Sequence, residues 1–466
     1  MSVMPVRSDL LPGCAERPLA RLIRRSLLLS AGVLLAQPGL VRDALAGPQG
    51  GNVVAGQGQI QRPDARTTVI QQQSHAMAID WQSFDIARQE LVRFNQPSAS
   101  ASVLNRVLNQ RPTQIFGSIQ ANGQVFIING SGVLFGKSAS VNVGGLFAST
   151  LDISNADFMA GRYRFAARDG TDPGAVINRG MIRAASGGGV TLLGGTVANE
   201  GVIEADLGYV NLAAGRVATL DFDGDGLLRV AVAGEVTSDS AGSGEAVANR
   251  GTIRADGGRV TLTATAAREV FTRAVNNEGV VRAARIERKG GKVVLAGLGA
   301  PVANRGTVDV SAGTASDEGG SIDITSDSVI EQLGTLRADA EGGRGGAVTL
   351  DSGATGTTLL AGESETSARS SAGQGGTVRA LGERVGLVDS ARIDVSGGAG
   401  GGEALIGGDY QGKNPAVRNA RRTYVGKEAS IAADATARGD GGKVVVWSDE
   451  VTRYFGAISA RGGAGG

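Results

Sequence analysis

The sequence predicts an all-β solenoid, in which short strands stack coil upon coil. Three observations predict it. Glycine supplies 74 of 466 residues, about twice its usual share, while aromatic residues are only 4%, so many turns are needed and large rings cannot fill the interior. A pattern V-x-N-x-G-x-[IV]-x-[AV] recurs from Val176, Val197, Val247, Val275 and Val302. Entries of the form Gly-Gly-x-[VI] follow, as at Gly257-Gly258-Arg259-Val260 and Gly441-Gly442-Lys443-Val444.

Composition removes other classes. With 41% hydrophobic residues the chain is not generically disordered, and it lacks the Gly-x-y period of collagen. A net charge of +1 argues against gripping nucleic acid. Cys14 and His75 are the only residues of their kinds, so no disulfide framework, Cys-rich zinc site or iron–sulfur cluster fits one chain. No cofactor is expected.

Residues 1–46 read as a signal peptide. Arg21, Arg24 and Arg25 precede an apolar run from Leu27 to Ala36, and Ala44-Leu45-Ala46 is a small-residue cleavage site. The run is too short to span a bilayer. Arg24-Arg25 hints at the twin-arginine route, but Ser26-Leu27 do not complete that motif well. Cleavage after Ala46 would remove Cys14.

Residues 166–466 carry the repeats. Each motif alternates apolar and polar positions with period two, the signature of a strand with one face buried. Two strands and two corners are expected per unit. Paired glycines would permit positive φ at the sharp corners. Asn178, Asn199, Asn249, Asn277 and Asn304 fall on the inward face, where a lone amide would cost a few kcal/mol. Stacked about 4.8 Å apart they would form a ladder of amides. The next, outward residue alternates in sign: Arg179, Glu200, Arg250, Glu278, Arg305. That ordering would set opposite charges side by side. There is room for about ten coils, a rod near 50 Å at about 4.8 Å each. The repeats break off at Arg461–Gly466 as if entering another coil, so a truncated passenger is expected.

Residues 47–165 hold the distinctive segments. These are Ala78-Ile79-Asp80-Trp81-Gln82-Ser83-Phe84, Leu104-Asn105-Arg106-Val107, the run from Ile115 to Asn129, and Gly132-Val133-Leu134-Phe135-Gly136. In that order they closely resemble the haemagglutination-activity, or two-partner secretion (TPS), domain of filamentous haemagglutinin-like exoproteins. Leu405–Gly412 and Gly442–Asp449 are similar to passenger segments of the same family. The resemblance implies a right-handed parallel β-helix with an N-terminal capping TPS domain. It implies Sec export, then passage through an Omp85-class outer-membrane transporter of the TpsB type, to the surface of a Gram-negative bacterium. Asn105, Asn122, Gly123, Asn129 and Gly130 are the candidates for transporter recognition, although the family's Asn-Pro-Asn turns are replaced by turns without proline.

The expected role is that of a non-enzymatic adhesin whose rod meets a host or neighbouring-cell receptor or glycan. The alternatives are a β-helical polysaccharide lyase or hydrolase, and the delivery stick of a contact-dependent toxin whose effector lies beyond this chain. Other motifs carry less. Gly130–Ser138 resembles a phosphate loop with the wrong glycine spacing. Asp221–Gly226 resembles a calcium loop, but its twelfth position is Val232 rather than Glu. Arg438-Gly439-Asp440 is an integrin-type tripeptide that arises easily in this composition. Basic runs at Arg285 to Lys292 and Arg418 to Arg422 read as solvated faces or glycan contacts.

Overall fold

The computed structural model describes residues 47–222, 228–286, 291–312 and 317–466, all within the compact unit Leu45–Gly466. The expected signal peptide and most of the calcium-like loop lie outside the described residues. The chain winds into a right-handed parallel β-helix with three faces. Face A is a sheet of 14 strands, face B of 12 and face C of 15 among the described residues. One coil runs Ala175–Asn178 on face B, Met181–Ala184 on face C and Gly189–Gly194 on face A. The next coil repeats this at Thr196–Asn199, Val202–Glu204 and Tyr209–Ala214. Ten face-B strands follow one another from Ala175–Asn178 to Val451–Tyr454.

A coil therefore has three strands rather than the expected two. The repeated motif is not one strand: it bends at Asn-x-Gly, with its valine on face B and its isoleucine on face C. Alternation survives the bend because the asparagine at the corner also points inward.

Identical residues stack. Val176, Val197, Val247, Val275 and Val302 are in register, as are Ile182, Ile203, Ile253, Val281 and Val308. All ten are at most 1% exposed. Each such side chain contributes about 1.5–3 kcal/mol by leaving water, and like shapes on like shapes pack without voids. The larger rings gather in the N-terminal coils, where Trp81, Phe84, Phe94 and Phe135 are fully buried.

The glycine corners have a different cause from the one expected. Gly257 and Gly291 do take positive φ. Gly258, Gly320, Gly346 and Gly442 do not, and are needed because the coils approach too closely for a side chain: a Cβ on Gly258 would overlap the carbonyl oxygen of Gly208.

Two antiparallel pairings begin the stack, Asn52–Ala55 with Ala76–Trp81 and Gly58–Asp64 with Thr67–Gln72. A separate antiparallel flap of Arg164–Ala166, Val217–Phe222 and Leu228–Ala233 lies over the outer side of face A. The first N-terminal coils point Phe126, Ile128, Phe147 and Leu193 outward there, and the flap's Phe165, Ala218 and Leu220 cover them. Later coils place Thr261, Thr263 and Asp323 at such positions, which need no cover.

Candidate functional site

Of the five recognition candidates Asn122, Gly123, Asn129 and Gly130 sit at coil corners of the N-terminal stack, and Asn105 sits within a strand. Asn105 lies on Ser102–Val107 and is fully buried. Its Oδ1 accepts the Trp81 indole N–H at 3.0 Å and its Nδ2 donates to Phe126 O at 3.1 Å. Asn129 is 1% exposed; it donates to Arg111 O at 2.8 Å and to Thr113 Oγ1 at 2.9 Å, and its Oδ1 accepts from Ser131 N. Asn129 satisfies backbone that its corner leaves unpaired, whereas Asn105 ties the Trp81 indole to the next strand from within the stack.

Asn122 is exposed but engaged. Its side chain accepts from Gln96 N and donates to Gln96 O, each at 2.8 Å, so it acts as one more rung of the backbone ladder. The Gly123 N–H donates to Gln96 Oε1 at 3.0 Å, and Gln96 Nε2 donates to Gln72 Oε1 at 3.1 Å. Gly123 is buried and Gly130 half-buried. Asn122, Gly123, Asn129 and Gly130 thus lie at corners, Asn105 ties strands together, and the five form no single surface patch.

Sequence reasoning missed Arg106 as a clamp. Its guanidinium is nearly buried and meets Asp80 at 3.2 Å, Asp152 at 3.0 Å and Asn155 Oδ1 at 2.6 Å. It fastens the short helix Asn155–Met159, capped by Ser154, against face A. The signal was present in the Asn105-Arg106 pair, but the acids lie 26 and 46 residues away in sequence.

The asparagine column reads as a continuous hydrogen-bonded line. Asn178 Nδ2 donates to Asn199 Oδ1, Asn199 to Asn249, Asn249 to Asn277 and Asn277 to Asn304, each at 2.8 Å. Gly180 N donates to Asn178 Oδ1 at 3.1 Å, so the same amide also holds its own corner. Outside it, Arg179 meets Glu200 at 3.0 Å and Arg250 meets Glu278 at 3.3 Å. Arg250 also reaches Glu245, and Arg305 turns to Glu331 at 2.7 Å.

The remaining motifs fall on corners or strands. Val133–Phe135 of the phosphate-loop-like segment is a face-B strand, and after Lys137 the chain enters another strand, Ser140–Val143, with no helix. Arg438 and Asp440 are exposed at a corner where Gly439 takes φ +80°. His75 is exposed. Among the described residues no group of three or more His, Cys, Asp or Glu is placed to hold a metal, and no helix is long and apolar enough to cross a membrane.

A family model described as the TPS secretion domain matches residues 46–310. The chain is 37% identical over 175 residues to a heme/hemopexin-binding protein of Haemophilus influenzae strain Rd, covering 36% of this chain and 19% of that protein. A second heme/hemopexin-binding protein of Haemophilus influenzae is 37% identical over 121 residues, 26% of this chain and 13% of its own length. The chain thus aligns with only about a fifth or less of these relatives. The crystal structure of the HMW1 secretion domain from Haemophilus influenzae is similar with a TM-score of 0.56 and 26% identity, over 90% of this chain and 91% of that one. With more than half of its residues matched, the chain belongs to the TPS secretion domain family, the secreted exoproteins of two-partner secretion in Gram-negative bacteria.

Proposed function

We propose that this exoprotein leaves the cell through a dedicated Omp85-class β-barrel transporter of the TpsB type, after Sec export and loss of residues 1–46, and that its coils then serve adhesion at a cell surface. The observation that carries the reading is the pairing order. From Thr67–Gln72 to Ala457–Ser459, successive face-C strands pair in parallel, each interior strand with the coil before and the coil after. Every coil that emerges from a pore therefore finds its template already folded outside, and each step buries apolar side chains and, from Asn178 to Gln332, closes an amide hydrogen bond. Folding on the far side biases transport outward without a nucleotide.

Asn105 and Asn129 are buried once folded, so a transporter reads them in the unfolded chain. The adhesive reading is non-enzymatic. It is supported by the engagement of the outer-face acids: Glu245 and Glu278 with Arg250, and Glu331 with Arg273 and Arg305.

The test is release into the medium from a Gram-negative host with and without the transporter partner. Export should require both the transporter and residues 47–165. Release independent of either overturns the transport reading, and degradation of acidic polysaccharide by the purified protein overturns the non-enzymatic one.

A further inference from the structure

A cavity of about 240 Å³ opens between the flap and the outer side of face A. The register builds it. Gln124 pairs with Gly145, and Gly189 with Tyr209, while the pairing of Leu146 with Val190 sets the two glycines side by side. Two successive coils thus lack a side chain at this column. From one side Tyr209 lays its ring over Gly189, and from the other Gln124 folds its amide over Gly145: a Cβ on either glycine would overlap that neighbour.

Rings wall the space. Phe126 and Phe147 have centroids 5.2 Å apart, and Tyr163 stacks on Phe126 at 5.5 Å with planes 17° apart. No charged side chain lines the cavity, and its polar groups are hydroxyls and one amide: Ser100, Ser102, Thr191, the two phenols and Gln124. Burial, then the nearby Tyr163 phenol, push Tyr209 up to about 12, and burial raises Tyr163 as well. Both are neutral hydroxyls at pH 7. Elsewhere the aromatic cover is phenylalanine, Phe158 of the short helix and Phe165 of the flap, so cover alone does not call for tyrosine.

We propose that this cavity binds one small neutral aromatic ring bearing a hydroxyl, a phenol. Ring walls favour offset or edge contacts with an aromatic guest. The volume is below that of sites for drug-sized ligands, and fits a single ring. The converging hydroxyls fix its polar end, and the absence of charge rejects ions. The ring has two sources, a free phenolic molecule or a tyrosine side chain of another protein.

The experiment titrates p-cresol into the full secreted chain, followed by protein-observed NMR. Saturable shifts confined to Gly187–Gly189, Tyr163 and Tyr209 are expected. Tyr209→Phe should raise Kd about tenfold, the value of one hydrogen bond, while thermal melting shows the fold intact. Ser100→Trp, at the exposed rim, should block binding without touching the core. Cyclohexanol, of similar size without the aromatic face, should bind at least tenfold more weakly. N-acetyltyrosinamide binding tenfold tighter than p-cresol assigns the ring to a protein side chain, and equal or weaker binding assigns it to a free phenol. Failure of p-cresol to saturate, a Kd unchanged in both variants, or equal binding of cyclohexanol overturns the proposal.

Discussion

Asn304 donates its Nδ2–H to Gln332 Oε1 at 2.9 Å, so the buried amide column continues one coil past the last asparagine of the repeat. Gln332 is fully buried and donates in turn to Gly334 O at 2.8 Å. A longer amide thus terminates the line by reaching the backbone. Each interior member of the column accepts from the coil before and donates to the coil after.

Replacing Asn249 by Leu should therefore strand two groups, the Asn199 donor and the Asn277 acceptor. The expected loss is about 2–5 kcal/mol, the desolvation of two unpaired buried polar groups. Asn178→Leu likewise strands two groups, the Asn199 acceptor and the Gly180 N–H that Asn178 Oδ1 accepts, and should cost about as much. Urea unfolding of both variants checks the size; losses below about 1 kcal/mol would contradict a hydrogen-bonded column.

The outer charges should matter far less. Glu200→Arg removes an exposed partner of Arg179 and should cost under about 1 kcal/mol, with the effect fading at high salt. Glu278→Arg should cost more, because Glu278 also accepts from the buried Asn276 amide at 2.9 Å. Thermal melts at low and high salt separate the two.

Close approach of coils makes a sharper prediction. A Cβ on Gly251 would overlap the carbonyl oxygen of Gly201 one coil back, and one on Gly279 would overlap that of Gly251. Gly251→Ala should lose about 1–3 kcal/mol or more through forced backbone separation. Gly386→Ala should be nearly silent, since its Cβ would meet only the end of the Leu359 side chain. Calorimetry of the two variants measures the difference.

Asp409 sets a pH dependence. The Asn414 amide, Lys443 ammonium and Tyr410 N–H lower its carboxyl from the ordinary value near 3.8 to about 2. A depressed folded value means stability that is present above about pH 4 and lost as pH falls toward 2. Lys443 is raised, chiefly by Asp409, so its share is present below about pH 10 and lost as pH rises beyond its folded value. Asp409→Asn should flatten the acid limb. NMR titration of the Asp409 carboxyl checks the value directly.

Coil-by-coil folding outside the cell predicts a block. Glu204 and Arg254 are cross-strand partners on face C, close enough for a disulfide. Glu204→Cys with Arg254→Cys, oxidised before export, closes a long loop that cannot thread a pore as a single strand. Secretion should stall and resume with reductant. Unimpeded export of the oxidised form would contradict passage in an extended state.

The sequence alone was enough for the stacked architecture, the count of about ten coils, the asparagine column and the family. The reason is that all four are written locally: a period of two, a corner residue repeated in each coil, and the order of segments from Ala78 to Asn129. What only the tertiary structure decided depends on neighbours far apart in the chain. The third face was hidden because an inward Asn at the corner keeps the alternation unbroken from Val176 to Ile182. Glycines such as Gly258 and Gly320 were misread because their constraint is the carbonyl of another coil rather than their own φ. The flap, the Arg106 clamp on Asp152 and the cavity beside Tyr209 come from residues tens of positions apart, whose meeting is fixed by the coil length and by nothing in either segment.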